Sequence, residues 1–369
     1  MVGTGPNAER LAGKPTTISD RTLLNRHNTV VVVPTYNGVR HVDDAISSVL
    51  AASKAYAYKL LLVDDCSSDG TYDHLVARYG DFPRVEIWKN PRNLGECANT
   101  NQIAERVRTM GYSWFVIIHQ DDLVDEDLFA VLNEEASRCE VSLIGTACNY
   151  VLDGEVSAFL AGTRTGLQAH DAEPGGLGVT VSSGPGALAS AFRRNVWPSV
   201  SGSAVNVHDF LSVSGFSTAF DFGIDTYFAY KLLESGRALA IIDRPYVVKR
   251  VHDESAWRRG VDAGKHVVAS LWMMERYRGV LDAAYVRETH VRFAKSAVLE
   301  ALRAVAARRI VEAARQVVLS GTILRSWLRH ALALPFLQSK RIRTLMARDQ
   351  APAVGAEAGR PLQLNPVPG

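Results

Sequence analysis

Two adjacent carboxylates, Asp121 and Asp122, follow the apolar run from Trp114 to Ile118, with only His119 and Gln120 between. Side by side beyond a buried strand, they repel each other unless a cation or strong hydrogen-bond donors compensate. Oxygen ligands of this kind suit Mg²⁺ or Mn²⁺, and Mg²⁺ commonly pairs one or two carboxylates with substrate phosphates. The blander reading is a solvated turn or a cap for the helix expected over 126–138, because Asp is a good N-cap. A second acidic turn, Asp64 to Thr71, closes the apolar run from Lys59 to Val63. An Asp placed there can accept the ring N–H of a uracil or thymine base, while Ser68, Asp69 or Thr71 could equally cap a helix. Pro34, Thr35, Tyr36 and Asn37 end a third apolar run, Thr29 to Val33, and Asn93 to Gly95 form a short turn.

These groups need elements to hold them, and the periodicity supplies candidates. Strands are expected at 29–33, 59–63, 85–88 and 114–118. Helices are expected after 42 (Val42, Ala45, Ile46 and Val49 share a face), over 71–79 and over 96–108. Alternating strands and helices argue for parallel βαβ units with both faces covered. Ligands in such sheets sit beyond the carboxyl ends of the strands, where the polar groups above fall. Between 140 and 220 the pattern changes. Strand-like pieces at 142–150, 156–160 and 187–192 are separated by glycine-rich loops. Beyond them a helix is expected over 224–234, then strands at 239–242 and 246–251. After Gly264 the chain reads as helical and rich in Ala and Arg.

Composition bounds the rest. The chain has 369 residues, 47% of them apolar, and a net charge of +2, so it is no obvious nucleic-acid binder. Cys66, Cys97, Cys139 and Cys148 form no CxxC pair and have no matching His spacing, which argues against a zinc site or a disulfide framework. The apolar runs are strand-sized, whereas a membrane span needs about 20 residues. The expected location is the cytoplasm, with peripheral membrane association. The cation-rich stretch 325–343, interleaved with Trp327, Leu328, Leu332, Leu334, Phe336 and Leu337, could meet an anionic membrane surface or pack as an ordinary helix.

Taken in order and spacing, Pro34 to Asn37, Val63 to Thr71, Asn93 to Gly95 with Asn101, and His119 to Asp122 resemble glycosyltransferase family 2. Gly223-Ile224-Asp225 with the helix to Gly236, and Arg250-Val251-His252 with Ser255, resemble that family's later acidic and basic motifs. The likeness covers roughly 29–257. It implies an α/β fold of the GT-A type, a Rossmann-like nucleotide-binding sheet with helices on both faces, here followed by a C-terminal helical extension. It divides the chain into a flexible arm (1–27), a catalytic domain (28–258), the extension (259–347) and a disordered tail (348–369). It implies an inverting transfer of sugar from a nucleoside diphosphate, UDP or dTDP favoured, to an unidentified glycan, lipid-linked saccharide or small molecule. Cell-surface polysaccharide or glycolipid synthesis would be the setting.

Roles follow residue by residue. Asp65 would bind the base, with Pro34, Thr35, Tyr36, Asn37, Asn93 and Gly95 around the donor. Asp122 would hold a divalent metal, Mg²⁺ or Mn²⁺, with Asp121 near the ribose or sugar. His252 would complete the metal site, Arg250 would assist electrostatically, and Asp225 would be the general base. Two departures stand out: His119 occupies a place where the family commonly carries an acid, and Thr100 one where it often carries Arg. Of the rival readings, a GT-A-like nucleotidyltransferase would open with a glycine-rich loop carrying Arg or Lys, where this chain has Pro34 to Asn37. A non-catalytic nucleotide-sugar-binding protein would not be expected to keep Asp65, Asp122 and Asp225 together.

Overall fold

A computed structural model describes residues 24–25, 27–160, 167–168, 179–194, 199–219, 222–255, 265–306, 310–332, 342, 344 and 349. Ten strands form one mixed sheet: β1 (Thr29–Thr35), β2 (Lys59–Asp64), β3 (Val85–Lys89), β4 (Trp114–Ile117), β5 (Leu123–Val124), β6 (Leu143–Leu152), β7 (Leu167–Gln168), β8 (Val179–Ser183), β9 (Ser203–Asn206) and β10 (Ala238–Val251). The order is β3-β2-β1-β4-β9-β6-β10-β5, with β7 paired to β6 and β8 to β10. The first four strands run parallel, in the expected βαβ pattern. The second half is mixed. β9 is antiparallel to both β4 and β6, and β10 is parallel to β6.

The helices are α1 (Val42–Ala52), α2 (Thr71–Tyr79), α3 (Glu96–Thr109), α4 (Leu128–Arg138), α5 (Val156–Leu160), α6 (Gly184–Arg194), α7 (Val207–Ser212), α8 (Ile224–Glu234), α9 (Lys265–Arg276), α10 (Ala283–Ala306) and α11 (Ile310–Leu332). Alternation along β1 sends Val31 and Val33 to one face, where they join Val42, Ile46 and Val49 of α1 and Leu128, Phe129 and Leu132 of α4. Val30 and Val32 point the other way, to Ile103 and Val107 of α3, Phe228 and Leu232 of α8, and Leu271 and Trp272 of α9. Val286, Ala297, Leu319 and Ile323 of α10 and α11 belong to that same cluster. The C-terminal helices therefore extend the apolar cluster on one side of the sheet.

Two expected strands are helices. Residues 156–160 form α5 after a 3-10 turn at Asp153–Glu155. Of its apolar groups only Val156 is fully buried, and it packs with Leu123, Val151 and Val248 rather than in a ladder. Residues 187–192 lie within α6, where the buried pair Leu188 and Phe192 is spaced four apart, a helical interval. Short apolar runs of this length fit either state until a partner decides. The two strands expected at 239–242 and 246–251 are one strand, β10, whose register slips between Ile242 and Val247. Pro245 lacks the N–H a continuous ladder needs, so the irregularity sits there.

Candidate functional site

The parallel strands β1, β2 and β4 bring their carboxyl ends to one edge, and loops laced by hydrogen bonds join them. The Gln120 side chain accepts from Tyr36 N at 2.8 Å and donates to the Tyr36 carbonyl at 3.0 Å, tying the end of β4 to the end of β1. Gly38 is needed beneath this clasp, because a Cβ there would lie 2.1 Å from Gln120 Oε1. Asn37 adopts a left-handed φ of 48°, donates its N–H to Ser67 Oγ, and accepts from Ser68 N at 2.8 Å. Asp64 accepts from Ser67 N at 2.9 Å, and Pro34 and Thr35 lie in β1 itself. The Tyr36 ring is 46% exposed and open on the cleft side of this loop set.

Asp65 is buried, and its carboxylate is already engaged. It accepts from Asn90 Nδ2 at 2.8 Å, Leu94 N at 3.0 Å and Gly95 N at 2.9 Å. It thereby fixes the turn carrying Asn93 and Gly95 before α3. Asn101, further along α3, clamps Phe216 in both directions, donating to its carbonyl at 2.8 Å and accepting from its N–H at 2.7 Å. Lys231 of α8 donates to the carbonyls of Val213 and Gly215 in the same loop. Gly215, at φ 51°, leaves no room for a Cβ beside Asn101 and Phe210. Lys231 and Gly215 were not singled out from sequence. Asp209 is tied up with Ser142 Oγ and Arg237 Nε, each at 2.6 Å.

Beyond β4, His119, Asp121 and Asp122 each offer a ligand atom, all within 4.8 Å of one another. His252, on the turn after β10, comes to Asp121: its Nε2 is 3.0 Å from Asp121 Oδ2. Asp122 faces Lys249 Nζ at 3.6 Å and His119 Nδ1 at 3.7 Å, and its Oδ2 is buried without a hydrogen bond. Two carboxylates, one with an orphaned oxygen, fit Mg²⁺ or Mn²⁺, and the two imidazoles beside them suit Mn²⁺ better than Mg²⁺. His119 thus joins the group from the position where the sequence departs from the family, a contribution its spacing alone did not announce. Burial pushes the Asp121 carboxyl up, but the His252 hydrogen bond and the charges of His119 and Lys249 outweigh it and hold it low. The same hydrogen bond holds His252 above its ordinary value. Burial opposes the charge on Lys249; Asp122 foremost, with Asp225 among the lesser contributors, more than offsets it.

Arg250 is 8% exposed and fully engaged. It donates to Asp44 at 2.6 Å, to Asp153 at 2.7 Å and to the Asp121 carbonyl at 3.2 Å. Its hydrogen bond holds the Asp153 carboxyl below the usual range. Asp225 sits in the first turn of α8, after Gly223 at φ 69°, and its charge is among those felt by Lys249. Its Oδ1 accepts from Thr226 N at 2.8 Å. Asp221, a second carboxylate four residues earlier that could serve as the base in its place, lies outside the described residues.

Residues 30–181 match the family model described as Glycosyl transferase family 2. A stretch of 78 residues is 32% identical to the putative teichuronic acid biosynthesis glycosyltransferase TuaG of Bacillus subtilis (strain 168), covering 21% of this chain and 31% of that protein. The match therefore spans about a third of that relative's length. Among solved structures, S. aureus TarS 1-349 in complex with UDP-GlcNAc is similar, with a TM-score of 0.52 at 12% identity, covering 87% of this chain and 88% of that one. A second crystal structure of S. aureus TarS 1-349 gives a TM-score of 0.52 at 13% identity, with the same coverage. At these identities the likeness is one of fold.

Proposed function

Because residues 30–181 carry a glycosyltransferase family 2 domain, we propose that this chain moves one sugar from a nucleoside diphosphate to an acceptor hydroxyl, with inversion at the anomeric carbon. The observation that carries the reading is the convergence of His119, Asp121 and Asp122 beyond β4 with His252 beside Asp121. A divalent cation, Mg²⁺ or Mn²⁺, supplies positive charge against the developing diphosphate when bound there. Asp121, Asp122, His119 and His252 are the residues to hold it.

The remaining roles belong to side chains. Asp65 fixes the Asn93 to Gly95 turn, and an acid at this strand end suits the ring N–H of uracil or thymine, which favours UDP or dTDP. The similar TarS structure is a complex with UDP-GlcNAc, a donor of the same class. Tyr36 offers its exposed ring beside the base. Asp225 takes the proton from the acceptor hydroxyl, a poor nucleophile until a carboxylate within reach assists it. Arg250 acts through the Asp121 carbonyl it holds, not by touching the donor. The acceptor is a glycan, lipid-linked saccharide or small molecule of cell-surface polysaccharide or glycolipid synthesis; the similar TuaG is named for teichuronic acid biosynthesis. An anionic membrane surface is the proposed docking partner, and no nucleic acid is involved.

A thermal-shift panel of UDP, dTDP and GDP with and without Mn²⁺ tests this. A nucleotide at 100 times its dissociation constant stabilises by about 2.7 kcal/mol. The expected result is a Mn²⁺-dependent shift with UDP or dTDP. A shift with GDP alone would refute the base assignment, and no shift with any nucleotide would sink the donor site.

A further inference from the structure

His41 precedes α1, is 7% exposed, and has no part in the transfer as proposed. Its ring centroid lies 4.9 Å from that of His252, the planes tilted by 51°. One nitrogen of each ring has a carboxylate neighbour. His252 Nε2 is 3.0 Å from Asp121 Oδ2, and His41 Nδ1 is 3.8 Å from Asp153 Oδ1. The other nitrogen of each, His252 Nδ1 and His41 Nε2, is buried without a hydrogen-bond partner. Buried polar atoms are nearly always satisfied, so two orphans in neighbouring rings call for a state in which they are.

We propose that His41 is a positioning residue for His252, accepting the His252 Nδ1–H on its own Nε2 when the cation is held. The inference rests on the metal-dependent reading of this site. A histidine that gives one nitrogen to a cation almost always donates the other N–H to a fixed partner, which sets its tautomer and ring orientation. No carboxylate or carbonyl serves His252 in that way. His41 does so by elementary bookkeeping of protons. With its own N–H on Nδ1, towards Asp153, the lone pair is left on Nε2. His252 then carries its N–H on Nδ1 and has a lone pair free on Nε2, the nitrogen that faces Asp121.

The relay ends in a rigid anchor. Asp153 is held by Arg40 and by Arg250, each at 2.7 Å, and Arg250 also grips Asp44 and the Asp121 carbonyl. The buried arginine of the Arg250-Val251-His252 motif thus acts on the imidazole two residues on, through Asp153 and His41. Cation uptake displaces the Nε2 proton that His252 shares with Asp121 to solvent, and the arrangement then needs only neutral rings in the stated tautomers.

Mn²⁺ uptake, read from the loss of the free-ion electron spin resonance signal with Mn²⁺ alone and with UDP, tests this on His41→Phe and His41→Gln. Phenylalanine keeps the ring but has no acceptor. It should weaken Mn²⁺ binding about 10- to 100-fold, the usual consequence of losing an outer partner, while the melting temperature in chelator stays at the wild-type value. Glutamine offers an amide oxygen to the same N–H and should recover most of the affinity. In a His252→Ala background, His41→Phe should cost nothing further. Wild-type Mn²⁺ affinity in His41→Phe overturns the inference, and so does an undiminished further loss in the His252→Ala background. Should His41→Phe fail to fold, His41→Gln decides: a loss as large as that of His252→Ala overturns the proposal. If the wild-type chain with UDP takes up no Mn²⁺, the cation reading itself fails, and the role of His41 fails with it.

Discussion

A carboxylate in the first turn of a helix is favoured there whatever its task, because it faces the positive end of the dipole. Asp225 is informative only through its company: Lys249 feels its charge alongside that of Asp122. Asp225→Asn keeps shape and polarity but cannot take a proton. Turnover should fall by about 10²–10⁴-fold while donor affinity, read by thermal shift, persists. Near-normal turnover, beside an inactive Asp221→Asn, would move the base to Asp221. Asp122 needs a more careful experiment than the single alanine. Removing its charge takes the nearest counter-charge from the half-buried Lys249, a loss of at most about 3–5 kcal/mol, the figure for a broken buried pair. The pair Asp122→Asn with Lys249→Met removes both charges. It should fold and lose Mn²⁺-dependent donor binding together with transfer; full transfer in chelator would reject the assignment. At this scale the sequence spoke through type and spacing. It could signal an acid at the end of a strand, but not that His252 would meet Asp121 rather than Asp122, because that pairing depends on β10 lying across the sheet.

At the scale of elements, Asp65 shows how a site residue and a fold residue can be one group. Its carboxylate receives two backbone N–H groups and one amide, and so sets the turn that opens α3. Asp65→Asn places an amide where two N–H donors converge. We expect a stability loss of about 1–3 kcal/mol, the cost of leaving buried donors unsatisfied, together with weaker donor binding. Urea denaturation of the nucleotide-free chain checks it; unchanged stability would mean the turn holds without the carboxylate. β1, β2 and β4 were legible because each is buried on both faces and reads as a continuous apolar run. The second half was not. The α5 and α6 segments are too short for periodicity to separate helix from strand. β9 is four residues long, Ser203 to Asn206, with little apolar signal of its own; it forms because β4 and β6 offer it two edges. The loop clamp of Asn101, Gly215 and Lys231 escaped notice because its partners are backbone groups far away in sequence.

For the molecule as a whole, the question is what the outer surface of α10 and α11 meets. Their inner residues join the sheet-face core, yet the outer surfaces are unusually apolar. Leu302 is 61% exposed and Val318 68%, and Val298, Leu299 and Val305 on α10 and Val317 and Leu324 on α11 are also exposed. Arg287, Arg292 and Lys295 line a groove on α10 with Val291 and Leu299, and Arg315 and Arg325 stand on α11. Cations among exposed apolar side chains suit the interface of an anionic bilayer, where each Lys or Arg near the surface contributes about 1 kcal/mol. No helix among the described residues is long and apolar enough to cross a membrane, so the mode to test is lying on the surface. Trp327 and Leu328 belong to this hairpin, while Leu334, Phe336, Leu337 and Arg343 lie outside the described residues. The chain should float with liposomes containing phosphatidylglycerol at low salt and less so with neutral ones. Salt should weaken binding, since screening shortens the reach of the cations to about 8 Å at physiological ionic strength. Leu302→Glu and Val318→Glu should abolish flotation without changing the melting temperature, because both side chains already face water. No flotation at low salt would reject the membrane. Concentration-dependent self-association, abolished by the same two substitutions, would make this face a contact between copies of the chain instead.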